Sequence, residues 1–124
     1  GFFGGKSDPY VVVRFGREER KTATIQDSLD PVWSKNNDFQ FKVSKPQEGA
    51  SGIDDSLKLE LEVLNSNMFT DDSLGRTTFS LKNLQTGVWH RQVDKLKGRS
   101  KVAPAQGELE FEVRFGDEGE QAST

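Results

Sequence analysis

The sequence predicts an all-β domain, an antiparallel β-sandwich of two sheets, and three observations carry that expectation. Apolar residues recur with period two in several short segments, the spacing that puts them on one face of a strand. Turn-forming residues separate those segments. No segment keeps apolar residues at i, i+3, i+4 and i+7 over three turns, so no long helix is expected.

Taken in order, residues 10–15 (YVVVRF) form a nearly continuous β-branched run, which suits a strand central in its sheet. Gly16-Arg17-Glu18-Glu19 follows as a hairpin turn, and residues 22–25 as a second strand. Asp30-Pro31 stops that strand, and Phe39-Phe41-Val43 alternate as a third. Leu57, Leu59, Leu61 and Val63 alternate with Lys58, Glu60 and Glu62 in the clearest pattern of the chain. Thr77-Phe79-Leu81 and residues 88–93 add two more, with one helical turn expected near Leu81 to Leu84. Leu109, Phe111, Val113 and Phe115 alternate with Glu108, Glu110, Glu112 and Arg114 in the last. That makes seven strands. Residues 44–55, 65–75 and 98–106 are connecting loops, and residues 116–124 a polar tail, leaving residues 1–115 as one domain.

Composition narrows the function classes. The 124 residues carry 17 Lys+Arg against 20 Asp+Glu, a net charge of −3, which gives no ground for a nucleic-acid partner. No apolar run reaches the ~18–20 residues that a membrane-spanning helix needs. Cysteine is absent, which removes disulfides, thiolate metal sites and cysteine nucleophiles. A cytoplasmic location is expected from this, and a chain opening on Gly1 is expected to be a segment of a longer one. Catalysis finds no support. His90 is the one histidine and has no Ser/Asp partners in a triad pattern, Asp54-Asp55 lie in a loop, and Gly4-Gly5-Lys6-Ser7 lacks the spacing of a phosphate loop.

Several strings resemble one family, the C2 domains. Ser7-Asp8-Pro9-Tyr10-Val11 is similar to the SDPYV segment that leaves their first top loop, and Leu29-Asp30-Pro31-Val32-Trp33 to their L-[ND]-P-V-W turn. Leu59-Glu60-Leu61-Glu62-Val63 followed by Asp71-Asp72-Ser73-Leu74-Gly75 resembles the strand and third top loop. Gly107 to Val113 (GELEFEV) is similar to the closing strand, and the order agrees over almost the whole chain. The resemblance implies an eight-stranded sandwich in the type II circular order, of which the first strand is absent from this sequence. It also implies three loops gathered at one edge.

The resemblance further implies where calcium would bind. Ca²⁺ takes six to eight oxygens, and family members supply them from five acidic loop positions. Asp8 matches one position, Asn65 and Asn67 stand at two others, and Asp72 or Asp71 matches the last. The remaining position falls on Phe2 or Gly1, neither of which offers a side-chain oxygen. A degenerate site of Asp8, Asn65, Asn67, Asp71 and Asp72 is therefore expected to bind calcium weakly or vestigially, with no other cofactor. The ordinary roles, Asp8 capping the turn before Pro9 and Asp71-Asp72 serving as loop carboxylates, remain open at this level.

Two surfaces suit a partner. Phe2, Phe3, Met68 and Phe69 fall on the tips of the first and third loops, with Lys6 beside them, and form a candidate membrane or partner contact. Lys82, Arg91, Lys95, Lys97, Arg99 and Lys101 lie within twenty residues that hold one carboxylate, Asp94, and form a candidate patch for anionic headgroups. The expected function is a non-catalytic module that brings a larger protein to anionic phospholipid membranes, peripheral to the bilayer, with weak or no calcium dependence. The alternative is a structural module for protein–protein contact within an assembly.

Overall fold

Alternation of apolar and charged residues becomes paired strands wherever neighbours supply the matching row. The computed structural model describes residues 7–28, 30–43, 57–82, 84–98 and 107–116. Phe2, Phe3, Lys6, Arg99, Lys101, the 44–55 loop and the tail beyond residue 116 lie outside them. Among the described residues there are six strands and no helix: β1 (Pro9–Phe15), β2 (Glu18–Lys21), β3 (Lys58–Asn65), β4 (Asp72–Ser80), β5 (His90–Lys95) and β6 (Glu108–Val113). All pairings are antiparallel, in a four-stranded sheet ordered β2-β1-β3-β4 and a two-stranded sheet β5-β6. Residues 76 and 97 form an isolated bridge, with the Arg76 amide donating to the Lys97 carbonyl at 2.9 Å, which ties β4 to the end of β5. Leu84 donates to the Leu81 carbonyl at 3.3 Å, the single turn expected there.

The apolar rows meet between the sheets. Val11, Leu61, Val63, Leu74, Leu96 and Leu109 form the buried cluster, with Val13, Trp33, Leu59 and Phe111 packed against it. Phe79 of β4 meets Phe111 of β6 edge to face at 5.9 Å between centroids. Register explains the sorting: Val11 faces Val63, Val13 faces Leu61, and Phe15 faces Leu59, so one face of β1 and β3 is wholly apolar.

Three expected elements differ from the structure. Residues 22–25 are not a ladder strand. The Val11 amide is taken at 2.9 Å by the Thr22 hydroxyl rather than by a carbonyl, so a side chain replaces the next rung. The segment still follows β1, with Thr22 and Ile25 amides bonded to the Val11 and Pro9 carbonyls. The true second strand is β2, formed by Glu18 and Glu19 of the expected turn together with Arg20 and Lys21. Residues 39–43 keep their alternation of half-buried and exposed positions but enter no ladder among the described residues. Phe41 packs instead on Phe15 at 5.8 Å and lies under the Arg20 guanidinium at 5.4 Å. Finally, the polar string from Asp72 to Gly75 belongs to β4, not to a loop.

That last difference has a structural cause. The β3–β4 register shifts between Val63 and Leu64, a bulge that inserts Leu74 and turns it into the core. Beyond the bulge Ser73 pairs with Leu64 and Asp72 with Asn65. Gly75, at the bulge, has φ +139 and approaches Leu96 so closely that a Cβ would fall 2.6 Å from the Leu96 Cβ.

Candidate functional site

The register that builds the four-stranded sheet also assembles one end of it. Asn65 lies at the end of β3 with Pro9 paired on one side and Asp72 on the other, so Asp8, Asn65 and Asp72 come from three adjacent chain segments. Hydrogen bonds then lock the loops together. The Asp8 amide donates to Asn65 Oδ1 at 2.8 Å, and the Ser66 amide to the Asp8 carbonyl at 2.9 Å. Asp8 Oδ1 accepts the Asp27 amide at 2.7 Å, fixing the neighbouring loop, in which Asp27 adopts φ 56. Trp33 plugs this region from below, donating Nε1–H to the Pro9 carbonyl at 3.3 Å while its ring packs on the core.

The 65–72 loop is clasped in the same way. Asp71 Oδ1 accepts the Asn67 amide at 3.1 Å, and Asn67 Nδ2 donates to Asp72 Oδ2 at 2.7 Å. The Tyr10 hydroxyl donates to Asp71 Oδ2. Partial burial, and then this bond to a carboxylate, push the Tyr10 phenol up to about 12. The phenol, followed by the Asn67 amide, holds Asp71 below the usual carboxylate range.

The structure therefore brings together all five residues expected at the degenerate calcium site: Asp8, Asn65, Asn67, Asp71 and Asp72. It engages them with each other and with backbone amides. Asp8 Oδ1, Asn65 Oδ1 and both Asp71 oxygens accept protein N–H or O–H groups, and Asn67 turns its donor nitrogen toward Asp72 Oδ2. Among the described residues no group of three or more His, Cys, Asp or Glu is arranged to hold a metal. The set offers three carboxylates, Asp8, Asp71 and Asp72, and two neutral amides, Asn65 and Asn67, less charge than five acidic positions would bring to a cation.

Above the clasp, Met68 and Phe69 are 89% and 91% exposed. They rise as an apolar tip on a loop whose base is fixed. Val32, 79% exposed on the loop that Trp33 anchors, is a third exposed apolar residue. Sequence reasoning missed it, because a single Val between Pro31 and Trp33 carries no periodicity. Tyr10 was also missed as a loop clamp. Its signal was a phenol in a run of valines, which needs a partner once partly buried.

Among the described residues, basic positions of the expected patch on β5 stand beside glutamates of β6. In the β5–β6 ladder Arg91 lies opposite Glu112 and Lys95 opposite Glu108, and Arg91 makes an ion pair with Glu110. Lys97 is exposed at the bridge to Arg76, and Lys82 follows β4. The outer face of the other sheet is likewise balanced. Arg14 reaches Glu19, Glu60 and Glu62 at 3.0, 3.2 and 3.1 Å, and the buried Glu62 also accepts the Ser73 hydroxyl at 2.8 Å. His90 has its Nε2 buried and without a hydrogen-bond partner among the described residues.

A model of the C2 domain matches residues 2–96. This chain belongs to the C2 domain family. It is 37% identical over 79 residues to Protein C2-DOMAIN ABA-RELATED 11 of Arabidopsis thaliana, an overlap of 63% of this chain and 41% of that one. Elicitor-responsive protein 1 of Oryza sativa subsp. japonica is 31% identical over 113 residues, 89% of this chain and 67% of that protein. Multiple C2 domain and transmembrane region protein 8 of Arabidopsis thaliana is 30% identical over 127 residues, covering 95% of this chain and 11% of that one. Among solved structures, a C2 domain of plant Extended Synaptotagmin 1 superposes with a TM-score of 0.65 at 24% identity, over 86% of this chain and 75% of that chain. That likeness establishes the C2 sandwich architecture. The chain spans 41%, 10% and 11% of the length of the first curated relatives it matches. Among the described residues no helix is long and apolar enough to cross a membrane.

Proposed function

We propose that this C2 domain is a non-catalytic module that seats its parent protein on phospholipid membranes through the tip of the 65–72 loop, without requiring calcium. The observation that carries the reading is the pairing of an exposed Met68-Phe69 tip with a base held by Asp71, Asp72, Asn67 and Tyr10. A fixed base presents the tip without an ordering cost at each encounter. Burying one such side chain contributes about 1.5–3 kcal/mol. The name of one relative joins C2 domains to a transmembrane region, which agrees with work at a membrane. On this reading the module works at the cytoplasmic face, peripheral to the bilayer.

Co-sedimentation with vesicles tests this, using anionic and zwitterionic lipid, each in calcium and in chelator. Binding is expected in both ionic conditions. Met68→Ala with Phe69→Ala is expected to weaken it by at least about tenfold, the lower end of the burial energy of even one such side chain, with an unchanged melting temperature. Binding only in calcium overturns the calcium-independent reading. Absence of vesicle binding by the wild type favours the alternative, that the same apolar tip fills a pocket on a protein partner.

A further inference from the structure

Sulfur occurs once in this sequence. Cysteine is absent, and Met68 is the one methionine among the 124 residues. Thiolate and thioether sulfurs are the side-chain atoms that peroxides oxidise, and exposure governs how readily they react. With no thiol to compete, that chemistry converges on a single atom. Met68 stands 89% exposed beside Phe69 at 91%, on the tip of the 65–72 loop. Among the aromatic side chains, the exposed Trp89 is the competing target for an oxidant, and it precedes β5 in the other sheet.

The shape of the loop does not depend on that sulfur. Its base is held by the Asn67 amide on Asp71 Oδ1, by Asn67 Nδ2 on Asp72 Oδ2 and by the Tyr10 hydroxyl on Asp71 Oδ2. None of these bonds involves an atom of Met68 or Phe69. A chemical change at the tip therefore alters what the loop presents and leaves intact the bonds that present it. The change from thioether to sulfoxide is large in polarity. A thioether is apolar and polarisable, whereas a sulfoxide carries a strong S–O dipole that water solvates. Burying that dipole among acyl chains gives up its hydration with no partner in return. Phe69 is then left as the one apolar anchor of the pair.

We infer that Met68 is a redox modification site, at which oxidation by a hydroperoxide releases the 65–72 tip from the bilayer. The step is a two-electron transfer. A lone pair on Met68 Sδ attacks one peroxide oxygen, an S–O bond forms and the O–O bond breaks. The other oxygen takes up a proton and leaves as water or an alcohol, so the sulfur is oxidised and the peroxide reduced. A methionine sulfoxide reductase reverses the change: two thiols become a disulfide and the sulfoxide oxygen leaves as water. The inference rests on the membrane reading of the tip and adds to it a dependence on one atom.

The test compares each protein with itself before and after dilute hydrogen peroxide, removed with catalase, on phosphatidylcholine–phosphatidylserine vesicles in chelator. In the wild type one oxygen atom is expected at Met68, located by peptide mass and added about as fast as to free methionine. Vesicle partitioning is then expected to fall at least about tenfold, the effect of losing one buried apolar side chain, with the melting temperature unchanged. Methionine sulfoxide reductases A and B with dithiothreitol are expected to restore it. Met68→Leu has no thioether, so its own partitioning is expected not to respond to peroxide. A peroxide-sensitive Met68→Leu would move the effect to another side chain, such as Trp89, and overturns the inference. Should that variant bind too weakly to be read, reductase rescue of the wild type decides, since no other methionine is present. An oxidised wild type that partitions as before overturns the inference and leaves the membrane reading standing. A melting temperature that falls on oxidation overturns it too, because the loss would then be one of fold. If the untreated wild type does not partition at all, the membrane reading fails and this inference fails with it.

Discussion

Gly75 is where the sandwich leaves least room. Its φ of +139 is a conformation side chains rarely adopt, and a methyl there would meet the Leu96 Cβ at 2.6 Å. Gly75→Ala is expected to cost about 1–3 kcal/mol through overpacking and backbone strain. Urea unfolding measures this, and an unchanged midpoint would contradict the tight approach of β4 to Leu96. Tyr10 acts through its hydroxyl. The phenol is raised from 10.0 to about 12, so its contribution is fully present below pH 10 and is lost as pH climbs toward 12. Asp71 is lowered from 3.8, so its contribution is present above that pH and is lost as pH falls through the depressed value. The clasp on the 65–72 loop therefore stays closed across the neutral range. Tyr10→Phe is expected to move the NMR titration of the Asp71 carboxyl up toward the ordinary carboxylate value. An unmoved titration would show that the Asn67 amide alone sets it.

The 65–72 loop, taken as an element, is held by amide donors where a calcium loop needs carboxylates. Asn67 illustrates the exchange: its Nδ2 bonds Asp72 at 2.7 Å, and a carboxylate in its place would face Asp72 with like charge. Asn67→Asp is expected to lower the melting temperature in chelator by a few degrees. Added calcium is expected to restore part of the loss, because the substitution adds an oxygen ligand and a charge. A variant as stable as wild type in chelator would show that the Asn67–Asp72 bond contributes nothing. How much of this was legible in sequence depended on which physics wrote each segment. Leu57 to Val63 and Leu109 to Val113 were legible because period-two burial is a local property of the chain. Residues 22–25 failed because one hydroxyl, that of Thr22, took the Val11 amide. The strand character of Asp72 to Gly75 was hidden by a bulge, which depends on the partner strand. The site residues were found by resemblance, but their hydrogen bonds to one another follow from side-chain orientation, which spacing does not encode.

Across the molecule, charge is arranged to cancel. The stretch holding Lys82, Arg91, Lys95 and Lys97 looks strongly basic in one dimension, and residues 107–124 look strongly acidic. Folding makes strands from these two stretches neighbours in one sheet, about 4.8 Å apart, well inside the roughly 8 Å screening length at physiological salt. On those strands Arg91 and Lys95 stand opposite Glu112 and Glu108, so their fields largely neutralise each other there. Such a surface gives little long-range attraction to anionic lipid, so the apolar tip must supply most of the binding energy. Vesicle partitioning is accordingly expected to change by less than about threefold between roughly 0.05 and 0.5 M salt, because apolar burial is not screened. A patch of several cations at about 1 kcal/mol each would lose far more over that range. Arg91→Glu should likewise leave partitioning nearly unchanged, since Arg91 is already paired with Glu110. A steep loss of binding with salt would transfer the contact to the exposed Lys95 and Lys97 together with Lys82, Arg99 and Lys101, and charge reversal there would then abolish it.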